Sequence, residues 1–174
     1  MSVIFTPAPE VGEIASELIP QYHAHLKGLR IDYAFRSDWW KSKGKLVYGK
    51  AMLITGHNAY LATRHDQRPP DKFFFVAICG VYWLGMSESE RRALVDHELC
   101  HCWAEHGELS ILPHDVEEFR SVIERHGLWS PDVRSFGEIA ARKQTQLSLM
   151  DDAATMPVNV NRFLNIGDDV RVEE

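Results

Sequence analysis

Apolar residues at Val11, Ile14, Ala15, Leu18 and Ile19 return at helical spacing, and Pro20 follows near the end or kink of the helix they predict, which has room to resume as far as Leu26. The period then changes. From Leu29 to Trp40, Ile31, Tyr33 and Phe35 alternate with polar residues and predict a strand. A second strand is predicted over Gly44–Gly56, and the short link "KSKG" before it predicts antiparallel pairing with the first. After a loop, "HDQRPPD", the residues Phe73 to Cys79 are apolar without alternation, as expected of a strand covered on both faces.

The second half of the chain reads as helical. Ser87 with Glu90 makes a capping box, and Gly107 falls where a left-handed C-terminal cap would close the helix. "HDVEEFRSVIERHG" repeats the pattern, with Val116, Phe119, Val122 and Ile123 inward, His114 at its head and Gly127 at its end. Ser135 and Glu138 box the start of a last helix, Phe136 to Met150. Beyond it the residues are acidic and weakly patterned. The order of one helix, three strands and three helices predicts an α+β domain over residues 1–150, followed by an acidic tail, 151–174, with room for partial mobility.

Composition narrows the setting. A length of 174 residues suits one domain with one sizeable core, so one site is sought. With 45% apolar and 25% charged residues the chain reads as soluble and globular, with no run near the roughly 18 apolar residues of a membrane span. No export signal is visible in "MSVIFTPAPEVGEIASE", and Cys79, Cys100 and Cys102 cannot all pair within the chain. Both features predict a cytoplasmic protein. A formal charge of −6 disfavours general nucleic-acid affinity but leaves room for a local basic patch.

One stretch departs from this ordinary background. "LVDHELCHCWAEHGEL", Leu94 to Leu109, holds His97 and His101 four residues apart, so on a helix both imidazoles project from one face and can share one metal ion. "HELCH" is the H-E-x-x-H pattern, in which two imidazoles hold zinc and the intervening glutamate, here Glu98, acts as general base on metal-bound water. Five positions with three fixed identities also arise by chance in ordinary helices. Here the pentapeptide lies in a helix with its own start and stop signals, follows a strongly apolar strand, and precedes a third histidine, His114.

For the third ligand, His106, His114, Glu117, Glu118 and His126 compete. His106 stands one position early for the longer motif that ends in a third histidine, and Ala104 occupies the place of that motif's glycine, so His106 reads as a surface residue. His126 suits a helix C-terminus as a dipole partner. His114 leads, with Glu117 or Glu118 as the carboxylate alternative. Asp96 and Glu105 could orient an imidazole or simply be solvated, and Cys100 reads as a packed thiol. Arg36, Lys41, Lys43, Lys45 and Lys50 surround Trp39 and Trp40; protection of a hairpin tip or sheet edge is favoured over a grip on single-stranded nucleic acid, and the tryptophans read as core anchors.

"YWLGMSESERRALVDHELCHCW" followed by "PHDVEEFRSVIERHGLW" resembles the phage metallopeptidases and, more distantly, the SprT-like zinc proteases, over roughly Leu29 to Trp129. The resemblance implies a zincin-like single domain: an N-terminal helix, a small antiparallel three-stranded sheet, the H-E-x-x-H helix and further helices. It also implies Zn²⁺ as cofactor and a later histidine a few residues before a phenylalanine, places held by His114 and Phe119. "DVEE" replaces the glycine-proline link of the SprT pattern, and no C-terminal cysteine pairs follow for a zinc ribbon. The metal site is therefore implied, and a DNA-coupled role is not. The expected function is hydrolysis of a peptide or protein substrate, with His97, His101 and His114 as zinc ligands and Glu98 as catalytic base, in a bacterial or phage-infected cell and away from membranes. The alternative is a non-catalytic zinc-binding protein on the same scaffold that binds a host factor or nucleic acid, the latter open but not favoured.

Overall fold

The computed structural model describes residues 2–117 and 120–151. They fall into two compact units divided after His114, Met1–His114 and Asp115–Glu174. The proposed tail beyond Asp151, together with Glu118 and Phe119, lies outside the described residues.

The first unit is built on a four-stranded sheet in the order β1-β2-β6-β5. β1 (Phe5–Pro7) runs antiparallel to β2 (Ile31–Arg36), β2 parallel to β6 (Lys72–Cys79), and β6 antiparallel to β5 (Gly49–Thr55). The expected three-stranded antiparallel sheet is thereby corrected. The two strands flanking "KSKG" do not pair with each other, because β6 inserts between them. The link instead opens a separate small hairpin of β3 (Lys41–Ser42) and β4 (Lys45–Leu46), whose tip residues Lys43 and Gly44 both have positive φ, 50° and 79°. Two left-handed residues match the right-handed twist of the strands they join. Lysines thus sit on a hairpin tip, as the charge pattern suggests.

The unalternating run "KFFFVAIC" is central because it can be buried on both faces: Phe74, Val76 and Ile78 enter the main core, and Phe73, Ala77 and Cys79 are equally enclosed. α1 (Pro9–Tyr22) adds Val11, Ala15 and Leu18 to that core at helical spacing. Its start uses Pro9 in the first turn, where the missing N–H goes unused. A short helix α2 (Gly56–Thr63), absent from the sequence reading, packs on β5 and β6, and α3 (Gly80–Trp83) is a single turn that follows β6.

α4 (Glu88–His101) begins at the predicted capping box, where the Ser87 backbone N–H donates to the Glu90 carboxylate at 2.7 Å. Val95 and Leu99 anchor it in the core against α1 and β5. It stops at His101, six residues before the expected cap at Gly107. The chain turns instead into a hairpin, β7 (Cys102–Glu105) and β8 (Glu108–Ile111), with His106 and Gly107 at its tip at φ 50° and 80°. A helix cap and a two-residue hairpin turn both require a glycine at positive φ, so Gly107 fitted either. The alternation that separates them lies upstream: Cys102 is buried, Trp103 exposed, Ala104 half-buried and Glu105 exposed.

The second unit contains α5 (Arg120–His126) and α6 (Pro131–Asp151). α5 ends at Gly127 as predicted, at φ 65° with its N–H on the Ile123 carbonyl. α6 starts earlier than the Ser135–Glu138 pair suggested: the Ser130 hydroxyl accepts from the Val133 N–H at 3.3 Å, and Pro131 fills the first helical position. Leu128 lies so close to Gly137 that a Cβ there would come within 2.6 Å of its Cδ1. No helix among the described residues is long and apolar enough to cross a membrane.

Candidate metal centre

His97 and His101 stand one turn apart on the last two turns of α4, with ring centroids 5.0 Å apart. His114 reaches them by a route different from the one expected. It does not head a helix; it lies in the irregular segment after β8, and the β7–β8 hairpin folds the chain back toward the end of α4. Two backbone-anchored contacts hold the return. The Leu112 N–H donates to the His101 carbonyl at 2.8 Å, and the His101 ring Nδ1 lies 2.6 Å from the Leu112 carbonyl oxygen. A carbonyl only accepts, so Nδ1 carries the proton and Nε2 keeps its lone pair.

The three rings then converge. His114 lies 5.0 Å from His97 and 4.7 Å from His101 between centroids, and one ring nitrogen of each falls within 4.8 Å of the others. The Nε2 atoms of His97 and His114 are 3.2 Å apart. Two nitrogens each about 2.0–2.1 Å from a tetrahedral ion would stand about 3.3 Å apart, so this pair already has the spacing of ligands to one metal. Burial, followed by the neighbouring charges of His101 and His114, pulls the His97 pKa below the usual histidine range and favours the neutral, ligating form.

Glu98 faces a different environment. It is 3% exposed, and its Oε2 has no hydrogen-bond partner among the described residues. Burial pushes its pKa up to about 7, against the opposing pull of His101 and a hydrogen bond from the Ala51 backbone. The carboxylate occupies space that only glycine leaves open. A Cβ on Gly49, the first residue of β5, would lie 2.6 Å from Glu98 Oε1 and 2.9 Å from its Cδ. Gly49 was not singled out from the sequence, although an isolated glycine in a strand pattern signals close approach of another group.

The remaining sequence candidates are placed elsewhere. His106 is at the hairpin tip with its side chain 90% exposed, and Glu105 lies 3.8 Å from it. Glu117 and His126 belong to the second unit. Asp96 does not orient a clustered imidazole by hydrogen bonding; its Oδ1 is 2.7 Å from Nε2 of the buried His23. Cys100 is exposed, which corrects its reading as a packed thiol. Trp39 is likewise 55% exposed and no core anchor; it meets Tyr82 edge-on, while Arg36 lies over Trp40.

Three convergent imidazoles beside a buried carboxylate define a site whose residues could hold a metal ion. The family described as "Putative phage metallopeptidase" matches residues 3–140, and the chain belongs to that family. No curated protein and no solved structure matches the chain.

Proposed function

We propose that the protein is a zinc metallopeptidase with a zincin-like catalytic centre, in which His97, His101 and His114 hold Zn²⁺ and Glu98 is the general base. The observation that carries this reading is the pairing of a three-imidazole cluster with a buried carboxylate, one oxygen of which has no hydrogen-bond partner among the described residues, on the helix that supplies two of the imidazoles. Neutral imidazole nitrogens suit zinc, and three of them leave a fourth position for water or substrate. Zinc held by these three histidines would supply polarisation of the substrate carbonyl and acidification of water.

The chain's own residues supply the rest. Glu98 accepts a proton on its carboxylate from the attacking water and returns it to the leaving amine. The Ala51 N–H and the missing side chain at Gly49 fix where that carboxylate sits. β5 is an outer strand of its sheet and carries both Gly49 and Ala51, so an extended peptide added along it would run beside Glu98. The substrate class is therefore a peptide or an extended protein segment, and the family's phage association supports action inside an infected bacterial cell.

The test is metal analysis of purified protein together with cleavage of an unbiased peptide library by wild type and Glu98→Gln. The expected result is zinc in both proteins, cleavage by the wild type, and a loss in the variant of about 10² to 10⁴ in rate. Equal cleavage by the two would overturn the role of Glu98. Zinc binding without cleavage by either would instead support a non-catalytic binding scaffold.

A further inference from the structure

α4 carries two pairs of side chains of metal-ligating type, offset by one residue. His97 and His101 occupy one face; Asp96 and Cys100, also four apart, share the adjacent one. Opposite the second pair stands His23, at the C-terminal end of α1, where its backbone N–H bonds to the Ile19 carbonyl at 3.0 Å. Its side chain is 6% exposed, and its Nε2 lies 2.7 Å from Asp96 Oδ1. One ligand atom from each of His23, Asp96 and Cys100 falls within 4.8 Å of the other two.

We propose that His23, Asp96 and Cys100 form a second cation site, distinct from the three-histidine cluster, for a borderline divalent ion of the zinc class. The donor set decides the class: an imidazole nitrogen, a carboxylate oxygen and a thiolate sulfur suit zinc-like ions and not the all-oxygen demands of magnesium or calcium. Three protein ligands leave one position for water. The burial gradient gives a route in, since the thiol is exposed and the imidazole lies beneath it.

Binding requires little rearrangement. The ion takes the place of the hydrogen between His23 Nε2 and Asp96 Oδ1, the single proton of the neutral imidazole moves from Nε2 to Nδ1, and the Cys100 thiol loses its proton to solvent, so one proton is released for each ion bound. The His23–Asp96 contact also ties α1 to α4, a role it could fill alone. Cys100 separates the two possibilities, because a tie between helices needs no sulfur.

Cobalt(II) is the probe, since sulfur ligation gives a thiolate-to-cobalt charge-transfer band in the near ultraviolet that an all-histidine site cannot produce. The full-length chain, stripped of metal and titrated with Co²⁺, should bind about two ions and develop this band. His97→Ala/His101→Ala should lose one ion and keep the band. Cys100→Ser, a change at an exposed position, should lose the other ion and the band, and Asp96→Asn, which can still bond to His23, should weaken that site at least about tenfold. A wild type that binds a single ion without the band overturns the proposal, as does a band that survives Cys100→Ser. The readout is metal and sulfur, not hydrolysis, so it is independent of whether the protein cleaves peptides.

Discussion

His101 and Leu112 hold each other twice, ring Nδ1 to carbonyl at 2.6 Å and N–H to backbone carbonyl at 2.8 Å. The first contact fixes the tautomer that leaves Nε2 available. The second fixes the chain two residues before His114. One residue thus orients a ligand candidate on the helix and delivers another from the loop.

Ligand order is the first expectation. Replacement of His97, His101 or His114 by alanine should each lower zinc affinity by orders of magnitude in a chelator-competition assay, whereas Glu117→Ala and Glu118→Ala should leave it within a few-fold of wild type. Near-wild-type affinity in His114→Ala with a collapse in either glutamate variant would point to a carboxylate-liganded site.

Gly49 should matter for rate and not for metal. A methyl group there would sit 2.6 Å from Glu98 Oε1, so the carboxylate must move. Misplacement of a catalytic group by about 1 Å can cost about 10²-fold in rate. Gly49→Ala should therefore bind zinc at wild-type stoichiometry, remain folded by circular dichroism, and cleave a responsive peptide far more slowly.

Metal-free protein should lose stability as pH rises through the region near 7. Glu98 in the folded chain has its pKa raised from 4.5 to about 7, so its contribution is fully present below 4.5 and lost as pH rises through about 7. Glu98→Gln removes that titration. In chelator the variant should gain thermal stability over wild type at pH 8 and show little gain at pH 4.5, the difference bounded by about 3 kcal/mol. An equal gain at both values would assign the effect to something other than ionisation.

Phe74, fully enclosed in the central strand, should be among the costliest core truncations. Phe74→Ala is expected to lose about 3–5 kcal/mol in urea denaturation followed by circular dichroism. A loss below about 1 kcal/mol would contradict the core as described.

Local signals were legible where one physical cause dominates. Ser87 and Glu90 marked a real helix start, because reciprocal capping leaves a four-residue signature. Uninterrupted apolarity marked β6 as central, because only burial on both faces tolerates it. Partner choice between strands was not legible: nothing in "KSKG" records that a segment some thirty residues later separates its neighbours. Gly107 misled because two different motifs require the same backbone angle. Of the candidate site, the spacing of His97, Glu98 and His101 was visible and the third histidine was indicated, yet the hairpin that brings His114 back and the glycine beneath Glu98 belong to contacts between distant segments.

The position of β6 between β2 and β5 also sets an order of events during synthesis. Residues 31–36 can pair with residues 5–7 as they emerge, but their other edge, and residues 49–55 altogether, have no ladder partner in the main sheet until residues 72–79 follow. Until then the nascent chain offers two half-built edges, a situation that slows folding and invites pairing with other chains. A ribosome that stalls before Lys72 would hold a segment with α1 and the strand residues present but no central strand to join them. The helix that bears the histidines is made later still, and His114 after it, so every strand of the main sheet has been synthesised before the cluster is complete.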